Sequence, residues 1–423
     1  MAQRSASRRM FLPSPPFLYS FVLGSLVDLL KHPSAEDQRA CAVLLQTCLG
    51  RASLERVVRQ TCARSATAVR AGVEAVLAAL SPVAWEAAFN QVLQALALPL
   101  LRGRRVVLVG DETHLPFWGR KGGELADELR GGPPKQGAVR FFAYVTICAL
   151  WRGRRIVVAV GRWRAQEPLA AVLDRLAPPL LASGLQIESW LWDRGGATVA
   201  MVDWWRRHEQ KFIVAAPRRG PKHGVAARLN ALEATWGHGR RQPPPVTESY
   251  TLQPEKSSGL APATVCLVIA WERVKKRPGE RRQRSLRRSA AQRDQVWRAV
   301  AWFTDGGDWR GCGGAVQALY RQRQSIESSY RVSHASRGRT SSRDARYRFV
   351  LFAISQLLQA VWSWLHWQAS LCLNRRQHKA PLLLVDLIDE WLWCGRQWLM
   401  ENLARPAPKG GQDSGWEASG AGV

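Results

Sequence analysis

The sequence predicts a mixed α/β fold, preceded by an all-helical N-terminal segment and followed by C-terminal helices. Three observations predict it. From Leu23 to about Leu101, apolar residues recur at every third or fourth position in Ala-rich sequence without β-branched runs, which is helical periodicity. At Arg104 the period changes to continuous apolar stretches bounded by turn residues, as buried strands show. From Gly313 the helical period returns.

Within the N-terminal helices, "SLERVVRQTCARSATAVRAGVEAVL" (Ser53 to Leu77) reads as two short helices around a tight turn. Leu54, Val57 and Val58 form the inner face of the first. Ser65 is placed to cap the second, whose Val69, Val73 and Val76 face inward while Thr67 and Arg70 face out. This is helix-turn-helix patterning, which would offer Arg70 to a DNA major groove. A plain helical hairpin gives the same pattern.

After Arg104, "RRVVLVGDET" is an apolar strand expected to end at Asp111, followed by a Gly-, Pro- and charge-rich loop from Gly119 to Gly137. That loop's "GGPPKQG" lacks the spacing of a phosphate-cradling loop. The strands "VRFFAYVTICAL" and "RRIVVAVGRW" follow, then one helix over about Pro168 to Ala182 and the strand "IESWLWD" closing on Asp193. A helix from Thr198 to His208 and the strand "KFIVAA" complete an α/β unit. A Pro-rich break, "RRQPPPV", then precedes the strands "TVCLVIAWERV" and "VWRAVAWFT". Between them, Arg273 to Arg293 holds ten basic residues and one acid, Glu280. Such a run is a solvated loop or, at a hairpin tip, a finger that grips a nucleic-acid backbone, with Lys275, Lys276, Arg281 and Arg282 as its contacts. Helix is expected again from Gly313 to about His334, and near Leu382 to Leu403.

Charge narrows the function classes. The chain has 61 Lys and Arg against 33 Asp and Glu, a formal net charge of +28. An excess this size fits a polyanionic partner, double-stranded DNA first, because each phosphate contact releases condensed counterions. The eight cysteines include no CxxC pair, so neither a zinc site nor a disulfide framework is indicated, and a reducing compartment fits. "SRRMFL" matches the twin-arginine export pattern, but Pro13, Pro15 and Pro16 break the junction, Asp28 interrupts the apolar run and no small-x-small cleavage site follows. "FVLFAISQLLQAVWSWLHW" (Phe349 to Trp367) is long enough to span a bilayer. Its Gln356, Gln359, Ser363 and His366 are costly in hydrocarbon, so a buried core helix is the better reading and no membrane association is expected.

The chemistry is expected from acids. On a helix, Tyr320, Arg323, Glu327, Arg331 and His334 would lie along one face, either as an exposed ion-pair ladder or as a functional stripe. Asp111 and Asp193 each follow an apolar strand, where an acid is a turn residue or helix cap, or a site residue at the carboxyl end of a sheet. Together, Asp111, Asp193 and Glu327 would converge on two Mg2+ ions, with Mn2+ able to substitute, since hard cations take shared oxygen ligands.

These segments resemble the Asp-Asp-Glu transposases of bacterial and archaeal insertion sequences, in the branch marked by tyrosine, two residues, arginine, three residues, glutamate, six residues and lysine. The motif stands here as Tyr320, Arg323, Glu327 and, in the lysine's place, His334, whose phosphate contact would weaken as pH rises above roughly 6.5. "GDETHLPFWG" and "LWDRGGATVAMVDWWRRHEQKFIVAAPRRG" resemble the family's two aspartate blocks, and the likeness covers roughly Arg104 to Trp364. It implies a ribonuclease H-like core interrupted, between its last strand and its catalytic helix, by a mostly β insertion. It also implies Asp111, Asp193 and Glu327 as catalytic metal ligands and Tyr320 and Arg323 as DNA contacts; His334 stands where the lysine would contact DNA, and Arg331 or Arg337 is expected to supply the charge that His334 loses. The family's insertion can hold a displaced base against an aromatic residue; Trp271 and Trp302 lie in that segment, where a tryptophan in β-structure is more often core.

The expected division is a basic tail (1–20), a helical DNA-binding domain (21–101, helix-turn-helix candidate 53–77), a catalytic core in two parts (102–216 and 302–372) around a β-rich insertion (217–301), C-terminal helices (373–405) and a disordered tail (406–423). The expected activity is metal-dependent cleavage at the ends of an insertion sequence and strand transfer to target DNA by a cytoplasmic, nucleoid-associated homo-oligomer, dimeric in its active complex. The alternatives are a ribonuclease H-like nuclease without strand transfer, and a non-catalytic DNA-binding protein derived from a transposase.

Overall fold

The computed structural model describes residues 13–30, 32–61, 66–119, 123–220, 224–255, 258–274, 296–307, 309, 311–323, 336–372 and 384–403. Among these residues it is a mixed α/β structure built on one nine-stranded sheet. Strand β1 (Arg105–Phe117) lies between two neighbours of opposite sense. It pairs antiparallel with β3 (Ala138–Trp151) and parallel with β5 (Gln186–Trp192). Outside β3 lies β4 (Arg154–Arg162), antiparallel; outside β5 lies β6 (Phe212–Ala215), parallel. The parallel steps need crossovers, supplied by α6 (Leu169–Leu176) with α7 (Pro178–Ala182), and by α8 (Val199–Arg207). The sequence pattern places one helix over 168–182; the pair Pro178 and Pro179 divides it, because proline withdraws backbone donors and clashes with the preceding turn.

Two further departures concern segments whose pattern is weak. The stretch expected to be loop, Gly119 to Gly137, contains the strand β2 (Leu129–Lys135). β3 has 14 residues, of which Tyr144 to Trp151 pair with β4, so its first residues bond β2 instead. Pro133 and Pro134 are tolerated because β2 is an edge strand. Beyond Pro217 the sequence suggests two strands, yet α9 (Val225–Trp236) and β7 (Val246–Leu252) are also present. α9 turns Val225, Ala226, Leu229 and Leu232 inward at helical spacing. β7, β8 (Ala263–Arg273) and β9 (Trp297–Thr304) form an antiparallel set, and β9 pairs antiparallel with β6, so this segment extends the core sheet.

Helices α1 (Pro15–Val27), α2 (Ala35–Leu49), α3 (Leu54–Thr61), α4 (Ala66–Ala78) and α5 (Pro82–Leu101) precede the sheet. Ser34 and Asp37 make a reciprocal capping box on α2, and Ser81 caps α5 ahead of Pro82. Leu54, Val57, Val58, Val69, Val73 and Val76 are buried, whereas Thr67 and Arg70 are exposed. Ser65 lies outside the described residues. The C-terminal helices are α10 (Gly313–Arg321), α11 (Ala345–Cys372) and α12 (Leu384–Leu403). α11 is long and apolar enough to cross a membrane, but 83% of its most apolar window is buried inside the protein. It lies against β4, α5 and α2, with Phe352 stacked on Tyr144 at 4.4 Å and Trp367 stacked on Trp151 at 5.6 Å.

β4 is an edge strand, and an unpaired edge is a liability. Side chains of α5 cover it: Asn90 Oδ1 accepts from the Val160 N–H at 2.7 Å and Glu86 Oε2 from the Arg162 N–H at 2.8 Å. Glu86 also takes the Arg175 Nε at 3.0 Å, so a buried carboxylate joins the helical layer, the edge strand and α6. Asn90→Ala strands the Val160 donor without its acceptor and is expected to lower the unfolding free energy by about 1–3 kcal/mol in urea titration. A change below about 0.5 kcal/mol would show that this bond contributes nothing.

Candidate active site

The site forms where β1 and β5 part. Their parallel pairing runs from Arg105 with Gln186 to Val109 with Leu191 and stops there. β1 continues to Phe117 because β3 keeps pairing with it, so Asp111 lies in mid-strand and not at the strand end that the sequence suggests. Asp193 directly follows the end of β5. Each acid is thus two residues past the last β1–β5 pair, and the crevice between parting strands holds both.

Glycines set the local packing. Trp192 lies over Gly110, where any Cβ would collide with the indole. A glycine inside an apolar strand is the sequence signal for such a close approach. Asp193 caps the short 3-10 turn Arg194–Gly196, its Oδ1 accepting from the Gly195 N–H at 2.7 Å. A Cβ on Gly195 would collide with Glu112.

The third participant comes from the end of α10. Arg323, buried, donates from Nη2 to Asp111 Oδ1 at 2.8 Å, and the same nitrogen is 3.7 Å from Asp193 Oδ2. The helix ends at Arg321, and Gln322 and Arg323 continue as a turn whose N–H groups bond Leu319 O and Tyr320 O at 3.0 Å. The helix expected over 313–334 thus ends at Arg321 among the described residues, i→i+3 bonds tightening its last turn; positions 324–335 lie outside the described residues. Tyr320 packs on Trp302 with ring centroids 5.8 Å apart and lies 5.9 Å from the Arg323 guanidinium carbon. Trp302 and Trp271 are both core residues, the latter donating from Nε1 to Pro244 O at 3.0 Å.

Electrostatically the crevice is crowded with negative charge. Burial pushes the Asp111 carboxyl up to about 6; Arg323 opposes that shift and the Asp193 charge adds to it. Glu112, missed in the sequence because alternation points it to the opposite face from Asp111, is pushed up to about 7. Burial is again the main cause, with the Asp193 charge next and the Trp192 indole N–H, 3.3 Å away, opposing. Burial likewise raises the Tyr320 hydroxyl to about 12. One guanidinium between two carboxylates marks a position suited to a cation.

Of the other residues named from sequence, Glu327, Arg331, His334, Lys275, Lys276, Arg281 and Arg282 lie outside the described residues. Arg70 sits on α4, ion-paired with Glu55 of α3, outside the crevice. Among the described residues, no group of three or more His, Cys, Asp or Glu is arranged to hold a metal.

No family model matches the chain, and no curated protein matches it. Among solved structures it is similar to a piggyBac transposase in a synaptic complex with hairpin DNA, at 12% identity and a TM-score of 0.43, over 97% of this chain and 81% of that one.

The Asp111 shift has a checkable sign. The folded carboxyl keeps its proton to higher pH than the unfolded one, so ionising it costs stability only in the native state. With EDTA present, the unfolding free energy of the wild type is expected to fall relative to that of Asp111→Asn as pH rises from about 4 to about 6, and to hold its offset above that. Parallel curves across this window in urea titrations would show an ordinary carboxyl.

Proposed function

We propose that this chain is a DNA transposase of the Asp-Asp-Glu kind, cleaving strands at the ends of an insertion sequence and joining them to target DNA. The observation that carries the reading is the single Arg323 nitrogen held by Asp111 and in reach of Asp193, which brings two of the three expected acids and the arginine of the Tyr-x2-Arg motif together. The strand order supports it: β4-β3-β1 antiparallel, then β5 and β6 parallel, is the order expected of a ribonuclease H-like core.

The donor set suits a hard cation. Mg2+ is ordinarily held by one or two carboxylates plus substrate phosphate oxygens, and Asp111 and Asp193 supply two, with Glu327 as the proposed third. Bound Mg2+ would stabilise charge on the attacking and leaving oxygens of a phosphodiester. The residues themselves hold and orient. Asp193 is fixed by the Gly195 N–H, Asp111 is shielded from water by burial, and Trp302 supports Tyr320 beside Arg323. Arg323 would be the residue to hold a phosphate here, since its fork matches phosphate geometry. The chain's net charge of +28 accounts for affinity to the DNA backbone.

The test uses purified protein, Mg2+ and labelled DNA carrying the gene's native borders. Asp193→Asn is expected to keep DNA affinity and lose more than about 100-fold in cutting, since even outer-shell partners of metal ligands cost 10- to 100-fold. Wild-type cutting without joined product would leave the nuclease reading. Binding without cutting, unchanged by the substitution, would leave a DNA-binding protein only.

A further inference from the structure

A second basic feature lies on the same face of β1 as Asp111. By strand alternation Asp111, Thr113, Leu115 and Phe117 share a face. Leu115 lines an open cavity of about 630 Å3 formed with Trp118, Arg51, Arg337, Arg339 and Arg348. No carboxylate lines it among the described residues. The groove is assembled from distant parts of the chain, chiefly the turn after α2, the end of β1 with the residue after it, and the segment entering α11 with its first turn. Arg339 N–H bonds Ala52 O at 3.0 Å, which fastens the last of these to the first.

One of these cations is firmly anchored. Arg348 donates from Nε to Ser342 O at 2.6 Å and lies over the Phe142 ring at 4.7 Å. Burial lowers the Arg337 pKa; Tyr144 and Cys48 oppose that shift, and the charges of Arg51 and Arg348 add to it. Trp118 is 68% exposed, yet its indole N–H is fixed on Gln136 O at 3.1 Å. Clustered arginines with no carboxylate among the described lining residues, beside an exposed indole held by a hydrogen bond, favour a ligand with a polyanionic backbone and flat apolar faces. A protein anion would answer the arginines but not the indole.

We infer that this groove seats the backbone of the DNA strand running on from the Asp111–Asp193 crevice, with Trp118 stacking on a base that is unpaired there. The inference rests on the DNA reading above. Four residues separate Asp111 from Leu115, about 13 Å of strand, or about four base-pair steps at 3.4 Å, so a single DNA can occupy both.

Fluorescence anisotropy with a labelled single strand and the matching duplex, over a range of salt, tests this. Arg51→Gln and Arg337→Gln are each expected to weaken binding and to reduce the slope of log affinity against log salt by about 0.9 on duplex and about 0.7 on single strand. Arg152→Gln, at the opposite end of the sheet in the β3–β4 turn, removes the same charge and is expected to leave the slope unchanged. Trp118→Ala is expected to cost about 5- to 100-fold on the single strand and far less on the duplex. If Arg337→Gln melts early, Arg51→Gln, on an exposed side chain, gives the result. Unchanged slopes, or equal losses from Arg152→Gln, overturn the groove; full single-strand affinity in Trp118→Ala overturns the stacking. Cutting is read separately. Groove losses in a protein whose cutting survives Asp193→Asn keep the groove and remove the catalytic reading, and intact slopes in a protein whose cutting is lost do the reverse.

Discussion

A buried guanidinium shared by two carboxylates is the constraint on which the rest of the structure turns. Desolvating such charges is expensive, and the expense is recovered only when geometry and hydrogen bonding are good. Arg323, Asp111 and Asp193 come from chain positions far apart, so three elements must be registered together for the pair distances of 2.8 and 3.7 Å to hold. Trp192 over Gly110 sets the approach of β5 to β1, the Gly195 N–H aims Asp193, and Trp302 under Tyr320 sets the height of Arg323. Removing Arg323 would leave Asp111 buried without its counter-charge, and removing Asp111 would leave the buried Arg323 with only the more distant, half-exposed Asp193, so the cluster is poor as a stabilising device and good as a poised site.

The helical layer serves that registration from the opposite edge. β4 has a partner on one side only, and α5 closes the other with two side-chain acceptors. Glu86 then recruits Arg175, whose second nitrogen donates to Arg162 O at 2.8 Å, so α6 is tied to the same edge. α11 fills the remaining face with aromatic contacts to Tyr144 and Trp151. The helices before and after the sheet therefore act on it jointly, through the polar edge and through an apolar face.

Much of this was legible in the sequence wherever a pattern is local. Seven strands between Arg105 and Thr304 and the buried faces of α3 and α4 follow from period and apolar runs. β2 was not legible, because its Gly-Gly-Pro-Pro run carries every mark of a loop and it exists through the reach of β3. Asp111 was legible as an acid in an apolar context, but its mid-strand position depends on a partner's length. Glu112 was hidden because alternation assigns it to the other face, while the Asp193 turn folds back within reach of its charge. The convergence of Arg51, Arg337 and Arg348 is a purely tertiary fact: nothing in spacing across such separations marks it.

β9 joins two parts of the chain that the sequence suggests are separate. Its pairing with β6 runs through Ile213 with Thr304, Val214 with Phe303 and Ala215 with Trp302. A lobe attached by linkers can swing; one stitched in by a ladder cannot without shearing those bonds. Relative movement of the segment beyond β6 is thus restricted to the twisting of a common sheet, and any load borne by β8 and β9 is transmitted through β6 to the strand that precedes Asp193.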